Sequence, residues 1–178
     1  MRDDVLLSSW QQVGLVVLRT LIGWHFLYEG YFKLLHPAWS RVGTPLPNWS
    51  AAGYLKGATG PFAPLFRAMG ESSWLPQLDL LVAVLLLLVG LSLVLGIFTD
   101  AGCVGALFLL AMFYVSAIPT SGIHDARAEG AYLIVNKNLI EAAAVGVLFA
   151  FRTGRIAGLD ALRRRTARPV VSTGQAAA

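Results

Sequence analysis

Four ionisable side chains, Arg19, His25, Glu29 and Lys33, interrupt one otherwise apolar stretch near the N-terminus. At about 100° per residue, His25, Glu29 and Lys33 fall about 240°, 280° and 320° from Arg19, so the four share one helix face. A second polar stripe lies near the C-terminus, where Lys137 and Glu141 are one turn apart and Asn136 and Asn138 flank them. An ionisable group at the centre of a membrane helix costs at least ~2.5 kcal/mol on insertion scales, so the two stripes are expected to face each other inside a bundle. Two kinds of chemistry are then open. In one, ion pairs such as Arg19 with Glu141 or Glu29 with Lys137 fix helix register, and Lys33 and Lys137 snorkel to the headgroups. In the other, Glu29 and His25 exchange protons with a lipid-soluble ligand while Arg19 or Lys33 stabilises its anionic form. Lys137, Glu141 and Asn138 would complete that ligand site. A quinone suits it, because its ring and tail are apolar while its two oxygens need hydrogen-bond donors and a proton source, and His exchanges protons near neutral pH.

Other cofactors can be weighed by the ligands they need. His25 is the only histidine in an apolar stretch, too few for a bis-histidine haem, and a single cysteine, Cys103, cannot hold an Fe–S cluster. The chain has neither the glycine fingerprint of a dinucleotide or flavin site nor a phosphate-binding P-loop. His36, His124, Asp125 and Glu129 match no compact metal motif, so no metal site is expected. Cys103 lies in an apolar run and reads as a small core residue, and one cysteine leaves the redox compartment undetermined.

The elements that would carry these residues are membrane helices. Of 178 residues, 56% are hydrophobic and only 13% charged, and the mean hydropathy is +0.64. Soluble domains hold nearer to about 25% charged residues. A bilayer core needs about 20 residues of helix, and four stretches qualify: Val13 to Leu35, Leu80 to Phe98, Ala101 to Ile118 and Ala131 to Phe151. The second and third are separated only by Thr99 and Asp100 and read as a tight helical hairpin. The first is expected to remain as a spanning helix, because its charges and the lack of a small-residue cleavage site exclude a cleaved signal peptide. The expected fold is an all-α integral membrane protein, a four-transmembrane-helix bundle over residues 1–155.

Charge distribution supplies the orientation. After the last apolar stretch, Arg152, Arg155, Arg163, Arg164, Arg165 and Arg168 oppose only Asp160, whereas the rest of the chain is close to neutral. That pattern excludes a nucleic-acid face and places both termini on the cytoplasmic side of the plasma membrane. Residues 156–178 are expected to be a basic, disordered tail. The loop from His36 to Asp79 is too long for a plain helix connection. Trp39, Trp49, Tyr54, Phe62, Phe66 and Trp74 make it aromatic, which suits short interfacial helices, one from Asn48 to Lys56 and one from Pro61 to Gly70. The sharper alternative is a lid over a site between the helices or a docking surface for a partner.

The run Leu18, Arg19, Gly23, Phe26, Glu29, Gly30, Lys33 and Leu34 resembles the R-x3-G-x2-F-x3-G-x2-K-L opening helix of the DoxX/DoxD membrane proteins. GLSLVLGIFTDAG (Gly90 to Gly102) is similar to that family's hairpin, YLIVNKNLIEA (Tyr132 to Ala142) to the closing helix of its DoxD branch, and GRIAGLDAL to the ending after it. The resemblance implies a four-helix bundle in the cytoplasmic membrane and, in the DoxD branch, the membrane subunit of a thiosulfate:quinone oxidoreductase. It also implies a second oxidoreductase subunit as partner. Alternatives are a non-catalytic scaffold or anchor, a homo-oligomer, and a small transporter that lines a water-filled path with the same charges.

Overall fold

The structure is a computed structural model that describes residues 7–35, 49–118, 131–132 and 134–166. It is mostly helical. Four longer helices, α1 (Ser9–Leu35), α4 (Leu75–Leu95), α5 (Thr99–Ser116) and α6 (Lys137–Ala150), are joined by the shorter α2 (Ala52–Lys56), α3 (Ala63–Gly70) and α7 (Leu159–Thr166). Among the described residues, α4 and α5 are long and apolar enough to cross a membrane.

Local chemistry sets the helix ends, and several differ from the sequence expectation. Ser8 and Gln11 form a reciprocal capping box, the Ser8 N–H donating to the Gln11 side chain (2.8 Å) and the Gln11 N–H to Ser8 Oγ (3.4 Å), so α1 starts ahead of Val13. α4 starts at Leu75 instead of Leu80, with Pro76 in its first turn, and stops where Gly96 takes a left-handed φ of 64°. Thr99 and Asp100 are therefore the opening of α5 and not the connector. The largest correction is at the fourth helix. Ala131–Tyr132 pairs antiparallel with Val135–Asn136, and Asn136 accepts the Leu139 N–H (3.0 Å), so α6 begins only at Lys137. Its 14 residues span about 21 Å, less than a bilayer core of about 30 Å.

α1 and α4 run antiparallel with their backbones in close contact, because each helix offers glycine where the other approaches. A Cβ added at Gly30 would lie 2.6 Å from Leu87 N and 2.9 Å from Ala83 O, and one at Gly23 would lie 2.8 Å from Val94 N. α4 offers Gly90 in return, against the backbone of Leu27. α5 turns back along α4, and α6 packs on α5 and returns beside α1. Their shared core joins Ile22 and Phe26 of α1, Leu86, Val89 and Leu93 of α4, Cys103, Ala106 and Leu109 of α5, and Val145 and Leu148 of α6. Cys103 is fully buried in this core and carries a free thiol.

The two ends of the bundle are closed differently. At the α5 C-terminus, the Tyr54 hydroxyl donates to the Phe113 carbonyl (2.8 Å), the Thr59 N–H to Ser116 (3.1 Å) and the Thr59 hydroxyl to Ile118 (2.7 Å). Loop residues thus satisfy carbonyls that the helix leaves free. α2 and α3 form a small second core here through Leu55, Ala58, Ala63 and Phe66. Burial pushes the Tyr54 phenol up from its ordinary value. Asn48, the expected cap of the first of these helices, lies outside the described residues, and α3 starts at Ala63, after Pro61.

At the opposite end the stretch expected to be disordered is in part a docked helix. The Asp160 carboxylate accepts the N–H groups of Phe98 (3.0 Å) and Thr99 (2.9 Å) at the start of α5, and the Asp160 N–H donates to Gly96 (2.8 Å). Gly158, at φ 117°, lies against Gly96 so closely that a Cβ on it would come 2.8 Å from Gly96 Cα. Composition shows the arginines of this segment and its single carboxylate, but not that the carboxylate caps another helix. Residues 167–178 lie outside the described residues.

Burial works against ionising Asp160, but the two backbone N–H groups outweigh it and hold its carboxyl below the ordinary 3.8. The lower folded value means that Asp160 contributes docking stability fully above pH 3.8 and loses it as pH falls through that lower value. A spin label at Leu162, in a Cys103→Ala background, should be ordered at neutral pH and become mobile only in that acid window. Asp160→Ala should mobilise it already at neutral pH, since loss of such a cap costs about 1 kcal/mol. An ordered label in Asp160→Ala at pH 7 would show that the glycine contact alone holds α7.

Candidate functional site

Arg19 lies on the α4-facing side of α1 and is 2% exposed. Its Nη1 donates to the carbonyls of Thr153 (3.0 Å) and Ala157 (2.7 Å), beyond the end of α6. A guanidinium stays charged and can satisfy several carbonyls at once, which a shorter or neutral side chain cannot do. The anticipated partner Glu141 is not there. Arg19 therefore clamps the chain after α6 to α1, and it is separated from the other three groups on the helix.

His25, Glu29 and Lys33 stay together on the flank that meets α6. His25 Nδ1 is 2.7 Å from Glu141 Oε1, with side-chain exposures of 47% and 15%. Lys33 pairs with Glu29 one turn earlier on the same helix. The anticipated Glu29–Lys137 pair is thus replaced by a pair within α1, although the charge of Lys137 is felt at both Glu29 and His25. Rise along α1 explains the exchange. Lys33 is one turn from Glu29 and on the same face, so no second helix need be brought into register.

Lys137, in the first turn of α6, makes no ion pair among the described residues, and Asn138 beside it is partly buried without a side-chain hydrogen bond among them. Among the loop aromatics, Trp49 takes a specific place, with Lys33 Nζ 4.9 Å from the centre of its ring. The sequence signal for it was one of several loop aromatics with nothing to distinguish it.

The group formed by His25, Glu29, Lys33, Lys137 and Glu141 has two carboxylates, two ammonium groups and one imidazole. It is neutral when His25 is neutral and carries one positive charge when His25 is protonated. Glu141 holds Nδ1, so Nε2 is the ring position left to give or take a proton. Half-exposure of His25 and of Glu29 (43%) makes this edge reachable from the side of the bundle. Among the described residues no group of three or more His, Cys, Asp or Glu could hold a metal ion. His36, His124, Asp125 and Glu129 lie outside them.

No family model, no curated protein and no solved structure matches the chain.

Proposed function

We propose that the chain is a four-span integral membrane protein of DoxX/DoxD type and the quinone-facing subunit of a redox complex, with both termini cytoplasmic. Apolar side chains on the outside of the helices support the membrane part of this reading. Trp10, Leu21 and Trp24 of α1, Leu80 and Leu88 of α4 and Phe108 of α5 are all exposed. Water would penalise such a surface, whereas lipid would not. The resemblance of the α1 run, the α4–α5 hairpin and the α6 segment to that family supports the redox part. α6 is short for a span, which local thinning of the bilayer and the flanking Lys137 and Arg152 would accommodate.

The observation that carries the site is the His25–Glu141 pair at 2.7 Å, which fixes one ring nitrogen and leaves the other free to act beside Glu29. In the reaction that the resemblance implies, two thiosulfate ions join as tetrathionate and release two electrons, and a quinone takes these with two protons to become a quinol. His25 and Glu29 would deliver the protons, and Lys33 and Lys137 would offset negative charge on the quinone oxygens. Arg19 serves the fold and not the ligand. Electrons would arrive with the sulfur donor or through a second subunit.

The test is quinone reduction by the chain purified from native membranes with whatever accompanies it, using thiosulfate first and other reductants next. Turnover that tracks this protein supports the reading. Turnover that survives its removal from the complex, with the partner lost from the membrane, would instead make the chain an anchor.

A further inference from the structure

A charged cavity at the docked end of the bundle takes no part in the His25–Glu29 site. It encloses about 510 Å³ between the first turn of α5, the turn Thr153–Arg155 and α7, and Arg155, Arg163 and Arg164 line it. Two carboxylates also line it, Asp100 and Asp160. Three guanidinium groups against two carboxylates leave the walls with a net positive charge, and the second carboxylate is held by the Phe98 and Thr99 N–H groups. Guanidinium groups from two different elements converging on one space suit a polyoxygen anion, which takes several forked hydrogen bonds at once.

Its position narrows the choice of anion. The cavity opens beside the α4–α5 turn, at the end of the two helices that are long and apolar enough to cross a membrane. Phe98, at that turn, is 62% exposed. It holds a left-handed φ of 49°, a conformation that bulky residues rarely adopt. Arg163 lies over its ring, 5.4 Å from the centre. An exposed ring and three arginines lining one space match a ligand with an apolar side and a phosphate. A soluble anion would gain nothing from the ring.

We propose that this cavity binds the phosphate headgroup of an anionic membrane lipid, with Arg155, Arg163 and Arg164 on the phosphate and Phe98 against the glycerol and acyl portion. The inference needs the α4–α5 hairpin to enter a bilayer, and it is independent of any redox role. Docking of α7 by Asp160 assembles the site, so lipid binding and helix docking reinforce each other.

The test titrates the purified full chain, in neutral detergent, with phosphatidylglycerol or phosphatidylcholine, reading retained lipid by native mass spectrometry and the shift in Tm. Phosphatidylglycerol should be retained and raise Tm, and phosphatidylcholine should do neither. Arg155→Gln with Arg164→Gln should weaken phosphatidylglycerol binding about tenfold or more, as expected for lost charge-assisted contacts. Arg152→Asn, at a neighbouring exposed arginine outside the cavity, should leave binding within about twofold. If the double variant does not fold, Arg164→Gln alone carries the comparison. Equal loss in Arg152→Asn would mean a diffuse attraction to basic charge, and unchanged binding in the cavity variants would remove the site. Displacement of the lipid by inorganic phosphate at matching affinity would make the ligand a free anion. Each of these three results overturns the proposal.

Discussion

Gly90→Leu should destabilise the fold by about 3 kcal/mol or more, the upper end of what overpacking a well-filled contact costs. A Cβ at Gly90 would lie 2.5 Å from Leu27 Cα, and its other near neighbours are also atoms of Leu27. A backbone cannot turn away as a side chain can, so α1 and α4 would have to separate. Separation would also open the contacts at Gly23 and Gly30, since all three lie along one seam. Gly146→Ala is the control. Nothing lies within 4 Å of a Cβ there, so that change should be neutral or stabilise by up to about 1 kcal/mol through helix propensity. Thermal melts of both variants in the same detergent decide it. A Gly90→Leu protein that melts with wild type would mean that the two helices are not seated as described.

That seam was partly legible in the sequence. Gly23, Gly30 and Gly90 all stand in segments that drew attention for their resemblance to a family, but glycine spacing alone does not say which helix approaches. Apolar length located the four long helices well and their ends poorly. Hydropathy averages over many residues, whereas ends are set by single groups such as the Asn136 side chain or the left-handed Gly96. The fourth helix shows the difference. Tyr132, Ile134 and Val135 are apolar enough to prolong a span on paper, yet these aromatic and β-branched residues suit a short strand pair.

Charge pairing was less legible than charge location. The helical wheel put Arg19, His25, Glu29 and Lys33 on one arc, and that grouping is correct for the last three. Arg19 lies at the edge of the arc nearest the glycine seam, and burial there takes it to backbone carbonyls in the chain after α6. Carbonyl acceptors leave no mark in a sequence, because every residue has one. Asp160 stands out in the sequence only as the one acid among the C-terminal arginines, and its capping role is hidden for the same reason, since its partners are the N–H groups of Phe98 and Thr99. Residue types locate the charges, but their partners, whether another side chain or the backbone, are set by the packing.

The largest functional effect should come from the groups that move protons. Glu29→Gln keeps the size of the side chain and its capacity to hydrogen-bond, but it cannot release a proton. If Glu29 and His25 protonate the reduced quinone, turnover per folded protein should fall about 10²- to 10⁴-fold in Glu29→Gln or His25→Gln, the usual range for loss of a general acid or base. Glu141→Gln should fall less. Glu141 touches His25 at Nδ1 and acts by positioning the ring, which a glutamine oxygen can still do. Combining His25→Gln with Glu141→Gln should add little to the His25 loss, because Glu141 then has no ring left to orient. A scaffold gives another pattern altogether. There the His25–Glu141 pair only holds α1 to α6 and the Glu29–Lys33 pair only supports α1 itself, so activity would follow protein abundance, and the variants would differ in melting temperature but not in turnover. Unchanged turnover in both Glu29→Gln and His25→Gln, with quinone still bound, would take proton transfer away from this pocket and leave its charges to the fold.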